Sequence, residues 1–185
     1  IVVSAEGVPI GKYYTENRTN ITYDQIPRYL TNALVAIEDV RFFEHSGIDS
    51  RSLFRVIIKS ILFNDRSSGG GSTITQQLAK NMYGRKHYLI FPLLMNKIRE
   101  VLLARRIEKV FTKEEIVTLY LNTVSFGENI FGIEAASHRY FNKKTQDLKI
   151  EEAAVLTGML KANTNFNPRL YPDNAAKRRN VVLKQ

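Results

Sequence analysis

The chain has no cysteine among its 185 residues. That excludes a disulfide framework and a thiolate metal site, and it leaves the redox compartment unreadable. It also lacks any apolar run near the roughly 20 residues needed to span a bilayer, and no secretory leader is visible. Strand signals are few, and there is no internal repeat or low-complexity segment. Negative charge is short as well: 18 Asp and Glu face 27 Lys and Arg, a net charge of +9. Apolar residues are in ordinary supply at 44%. The chain is therefore no disordered tail, and it is long enough for one domain with a core.

The basic excess favours an anionic partner: nucleic acid, an anionic bilayer surface or a phosphorylated substrate. It is also clustered. Between Lys80 and Lys109 stand Arg85, Lys86, Lys97, Arg99, Arg105 and Arg106, opposed only by Glu100 and Glu108. A chain that starts at Ile1 and ends at Gln185 inside a basic helical pattern reads as part of a longer protein, with any anchor outside it.

Residues 1–25 mix Val, Gly, Tyr and Asn without helical period and read as a strand-and-turn lead-in; the domain proper is expected over 26–185. Ile26, Leu30, Leu34 and Ile37 recur at three-to-four spacing, which predicts a helix with Pro27 in its first turn. Asp49 or Ser50 can cap a second helix carrying Leu53, Val56, Ile57 and Ile61. Asn64–Gly71 is turn-rich, and Ser72-Thr73 opens another helix. Further helices are expected over Asn96–Val110, after the capping box Thr112–Glu115, and over Ile130–Phe141, Ile150–Leu160 and Asp173–Lys184. The fold class is mainly α. One segment, Tyr88–Met95, is apolar all round, broken by Pro92 and flanked by Arg85, Lys86, His87 and Lys97. It is either buried core or a surface that dips into a bilayer interface.

Two boxes carry the chemistry. The first, Glu38-Asp39-Val40-Arg41-Phe42-Phe43-Glu44-His45-Ser46-Gly47, puts two carboxylates at a helix C-terminus, where the dipole disfavours negative charge. His45 is expected to fix the Gly47 turn. The second runs from Gly69 through Ser72, Thr73, Gln76 and Gln77 to Lys80 and Asn81. Glycine ahead of a helix lets backbone N–H groups approach an anion closely. No Gly-Lys-Ser/Thr closes the run, so it is not a Walker loop.

Together these boxes resemble the first two motifs of the peptidoglycan glycosyltransferases, the lipid II polymerases of class A penicillin-binding proteins and monofunctional transglycosylases. The first matches E-D-x-x-F-x-x-H-x-G at every fixed position, and Gly70–Gln77 matches the second without a gap. The third motif, R-K-x-x-E, appears as Asn96-Lys97-Ile98-Arg99-Glu100, without its leading arginine. The fourth keeps Tyr120, Leu121 and Asn122 but has Thr118 where glutamate is usual; Asn122 is expected to cap its helix. Lys161–Pro168 resembles a loop near the far end of the groove. The fifth motif fits Arg178–Leu183, with Arg178 bracing the site.

The resemblance implies a lysozyme-like fold with a larger lobe and a smaller membrane-proximal one. It implies Glu38 as catalytic base and Glu100 as a second catalytic carboxylate. Asp39, Ser72, Thr73, Gln76, Gln77, Lys80, Asn81 and Lys97 become substrate-binding side chains. Arg85, Lys86 or Arg99 is expected to supply the charge that Asn96 does not, with Arg85 and Arg99 counted in the substrate site. Lipid II and a growing glycan on undecaprenyl diphosphate are the implied substrates. The outer face of the bacterial cytoplasmic membrane is the implied location, with cell-wall synthesis proteins as possible partners. No organic cofactor is implied, though a divalent cation (Mg2+ or Mn2+) could assist the diphosphate. Two rivals remain: a lysozyme-like peptidoglycan hydrolase, which needs no lysine-lined diphosphate site, and a helical nucleic-acid-binding module, which needs no clefted carboxylates.

Overall fold

A computed structural model describes residues 2–3, 9–11, 20–52, 54 and 71–185. The apolar part of the second expected helix and the loop from Asn64 to Gly70 lie outside the described residues. The mainly α architecture expected from the pattern is observed. In chain order the helices are α1 (Arg28–Glu38), α2 (Ile74–Tyr83), α3 (Pro92–Val110), α4 (Lys113–Thr123), α5 (Ile133–Phe141), α6 (Ile150–Met159) and α7 (Pro172–Leu183). In the lead-in, Val2–Val3 pairs antiparallel with Pro9–Gly11.

The caps explain where the helices begin. The Thr73 hydroxyl accepts from Gln76 N–H at 3.1 Å to open α2, and such a cap contributes about 1 kcal/mol. Thr112 and Glu115 form the expected box at the start of α4, with Thr112 N–H given to the Glu115 carboxylate at 2.7 Å. Helix α3 begins four residues before the expected Asn96. Pro92 does not break the helix but starts it, since its missing N–H and fixed φ suit the first helical position.

Leu34, Phe42, Ile74, Leu78, Ile116, Leu121, Ile133, Leu156 and Met159 are fully or almost fully buried in one core. Each buried side chain of this size stabilises by about 1.5–3 kcal/mol. Helix α6 packs on α1 and α7, and α2 packs on α3 and α4. Asn122 does not cap its helix, which ends at Thr123 with Val124 as its C-cap. Its side chain instead pairs with both backbone groups of Ile21, donating to the carbonyl at 2.9 Å and accepting from the N–H at 3.0 Å. A buried amide that mimics a peptide partner ties the lead-in to α4 across a hundred residues of sequence.

The apolar segment is not core. Leu89 is fully exposed, and Ile90, Phe91, Leu93 and Leu94 are exposed beside it, continuing along α3 to Ile98 and Leu102. Among the described residues, no helix is long and apolar enough to cross a membrane.

Candidate active site

The first and second boxes meet at the N-terminus of α2. Asp39, just past the end of α1, accepts from Ile74 N–H at 3.0 Å, so its carboxylate acts as a second cap on α2. His45 sits 3.0 Å from both Asp39 oxygens through Nε2, while its Nδ1 accepts from Gly47 N–H at 3.2 Å. That acceptor role at Nδ1 puts the proton on Nε2, facing Asp39. Gly47 adopts φ +86°, and a Cβ there would stand 2.9 Å from the Ala104 carbonyl carbon of α3. No other residue fits that turn. Its carbonyl accepts from the Thr73 hydroxyl at 2.8 Å, which closes the frame. His45 therefore has the structural place expected of it, and Asp39 and Thr73 are fastened into the same frame.

Glu38, the last residue of α1, stands free of that frame. Its Oε2 accepts from Gln77 Nε2 at 2.8 Å, and Gln77 Oε1 accepts from the Tyr120 hydroxyl at 3.0 Å. Tyr120 is fully buried, and burial first, with the Glu38 charge second, pushes its phenol well above the usual range. It is a donor only. The relay from Tyr120 was not legible as function in the sequence, where Tyr120 reads as one more apolar position of α4. The available signal was its polar tip, because a buried tyrosine hydroxyl usually finds a partner.

Two cavities flank Glu38 and share it and Ser72 as a partition. The smaller, about 180 Å³, is lined by Asp39, Arg41, Asp49, Ser52 and Thr73. The larger, about 610 Å³, lies toward Gln77, Lys80, Lys161 and Arg178. Arg178 packs against Gly158 and lies 5.9 Å from the Phe166 ring centre, and its buried Nε has no hydrogen-bond partner among the described residues. Lys161, placed by its sequence only in a loop near the groove's end, lines the same wall as Glu38.

Lys97 reaches the partition from α3. Its Nζ donates to Ser72 Oγ and Gln76 Oε1, both at 2.7 Å, and lies 3.5 Å from Glu100 Oε2. Burial lowers its pKa, and the Glu100 charge works against that shift. Glu100 is buried, with Arg85 Nε 3.5 Å from its other oxygen. Lys97 and Glu100 thus share one face of α3, as their spacing suggests, and Lys97 reaches Ser72 on the cavity wall. Arg99 gives its guanidinium to the carbonyls of Gly84 (2.9 Å) and Tyr83 (3.4 Å), closing the end of α2. Asn81 is exposed on α2 and lines neither cavity. Among the described residues, no three His, Cys, Asp or Glu side chains converge as a metal site.

A helix-end carboxylate on the wall between two clefts, with Lys80 and Lys161 in the larger one and Lys97 bonded to the shared Ser72, is the equipment of an enzyme that moves a proton beside an anionic group. The transglycosylase family model matches residues 6–185, and the chain belongs to that family of glycosyl-transferring enzymes. It is 44% identical over 184 residues to penicillin-binding protein 1A of Escherichia coli (strain K12), covering all of this chain and 21% of that protein. Identity is 41% over 182 residues to penicillin-binding protein 1F of Bacillus subtilis (strain 168), covering 98% of this chain and 25% of that protein. Against penicillin-binding protein 1A of Aquifex aeolicus (strain VF5) it is 41% over 184 residues, again all of this chain and 25% of the relative. The chain thus spans a fifth to a quarter of the length of these relatives.

Proposed function

We propose that this domain polymerises lipid II into peptidoglycan strands, with the growing glycan on undecaprenyl diphosphate as donor and the next lipid II as acceptor. The observation that carries the reading is the position of Glu38, which lines both cavities while Gln77 holds one of its oxygens. One cavity takes the donor sugar and the other the acceptor. Glu38 removes the proton from the acceptor 4-hydroxyl as that oxygen attacks the donor anomeric carbon. The carbon–oxygen bond to the diphosphate breaks, the configuration inverts, and the lipid diphosphate leaves with the bonding electrons. Lys97 and Lys80 stabilise the charge that develops on it, and Glu100 orients Lys97. Ser72, Gln76 and Gln77 line the path of the sugars. A divalent cation, Mg2+ or Mn2+, would be carried by the diphosphate itself, since the described carboxylates do not converge on one.

Both substrates are lipid-linked, so the site must work at a membrane surface. The exposed Leu89–Leu94 patch, flanked by Arg85, Lys86 and His87, supports docking at an anionic outer leaflet. Labelled lipid II in detergent tests the reaction: long glycan strands with release of undecaprenyl diphosphate are expected. Cleavage of preformed glycan without strand growth would replace the polymerase reading with a hydrolase.

A further inference from the structure

The third box lacks its leading arginine, and what Asn96 does instead is specific. The residue is only 6% exposed. Its Oδ1 accepts from Lys86 N–H at 2.9 Å, and its Nδ2 donates to the carbonyls of Lys86 and Pro92, both at 2.8 Å. The amide thus pairs with both backbone groups of one residue and locks the segment around Lys86 onto α3. An arginine could not make this lock, because a guanidinium has no acceptor for the Lys86 N–H.

The neighbour of that locked residue is Arg85. Its Nε lies 3.5 Å from Glu100 Oε1, a buried oxygen that accepts no hydrogen bond from the described residues. Lys97 lies at the same distance from the opposite oxygen. Of the three cations that could stand in for the missing arginine, Arg99 is spent on the carbonyls of Tyr83 and Gly84, and Lys86 meets Asn96 through its backbone and forms no ion pair with Glu100 among the described residues. Arg85 reaches the carboxylate, and its side chain stays 58% exposed, which leaves it open to a ligand from solvent. Glu100 therefore holds two cations side by side, and Lys97 connects the pair to Ser72 on the partition between the cavities.

We propose that Arg85 supplies the anion-binding charge that position 96 lacks, and that Asn96 is the positioning residue that holds Arg85 there; the ligand class is a diphosphate ester. This rests on the reading of the groove as a diphosphate site and assigns who completes it. Arg85 offers a planar fork to phosphate oxygens, where Lys97 offers a point charge. The lock keeps the fork beside Lys97 when no ligand is bound.

Inorganic pyrophosphate is the probe, its binding measured by calorimetry at low salt so that no turnover is needed. Arg85→Ala weakens binding roughly tenfold, and Arg85→Lys recovers part of the loss. Asn96→Ala weakens it to a similar extent, and adding it to Arg85→Ala costs nothing more, because both act through one guanidinium. Arg106→Ala, an exposed cation on the same helix, stays within about twofold and controls for net charge. Exchange of the Lys86 amide hydrogen speeds up in Asn96→Ala; should that variant not fold, Asn96→Gln, whose amide is one methylene too far away, carries the comparison. Absence of pyrophosphate binding by the wild-type chain overturns the assignment. So does an Arg85→Ala loss no larger than that of Arg106→Ala, or an Asn96 effect that adds to that of Arg85. A chain that polymerises lipid II yet shows any of these results keeps its function and loses this inference. A chain that binds pyrophosphate through Arg85 without polymerising does the reverse.

Discussion

Glu38 ends a helix whose dipole opposes its charge, and it is held there by one amide whose orientation is set from behind. Gln77 could present either its NH2 or its oxygen to the carboxylate. The Tyr120 hydroxyl, donating to Gln77 Oε1, selects the NH2. Tyr120→Phe keeps the buried ring and removes only this instruction. The expected result is a fall in kcat of roughly 3- to 10-fold, the worth of one such bond, with little change in melting temperature. In a Gln77→Leu background the same change should do nothing further to kcat. A loss equal in both backgrounds would assign Tyr120 to packing alone.

At the scale of elements, the turn between α1 and the next helical segment is stapled by Arg41 and Asp49. Arg41 Nη2 lies 2.7 Å and 2.8 Å from the two Asp49 oxygens, and the Ser52 N–H adds a bond at 3.1 Å. Burial pushes the Asp49 carboxyl up, but these bonds outweigh it and hold the group well below the usual carboxylate range. A carboxylate with a lowered folded-state pKa contributes stability that is present above its unfolded value near 4 and lost as the pH falls below that. Thermal melts from pH 6 down to pH 2 should therefore show little change from this group above about pH 4 and a progressive loss below it for the wild type. Arg41→Ala should start lower at pH 6 and lose less over the same interval. Parallel curves would mean that the staple is not coupled to folding.

Much of this scaffold was legible beforehand because its signals are local: three-to-four apolar spacing, Thr-x-x-Glu before α4, Thr73 before α2. What was not legible depends on partners far apart in sequence. Asn122 reads as a helix cap until Ile21 is seen beside it. Pro92 reads as a break until it stands at the first position of α3. Nothing in the boxes says that Asp39 would cap α2, or that Arg99 would face the Tyr83 and Gly84 carbonyls while Arg85 turned to Glu100. Two boxes about thirty residues apart were recognisable as a pair, but their contact runs through single hydrogen bonds that no periodicity encodes.

For the whole molecule, a basic domain carries a lysine that reaches the candidate site and a large exposed apolar face on the same helix, α3. Lys97 turns to Ser72 on the cavity wall with the buried Glu100 beside it, while Leu93, Leu94, Ile98 and Leu102 look out. Burying that face in an interface would hold the groove near the headgroups from which lipid-linked sugars enter. Replacing Leu89, Phe91 and Leu94 together by Ser should reduce co-sedimentation with anionic vesicles by about tenfold or more, at roughly 0.8 kcal/mol per CH2 withdrawn from lipid. Retention of full vesicle binding would assign the patch to another partner.

The most direct measurement compares wild type with Glu38→Gln on labelled lipid II, with melting curves recorded on both. Glutamine keeps the size of the side chain and its contact with Gln77 but cannot accept the acceptor's proton. Strand synthesis should fall by about a hundredfold or more, the scale of a lost general base, while the melting temperature holds. Near-normal turnover by Glu38→Gln would contradict the assignment of the base and, with it, the role of the two cavities that meet at this residue.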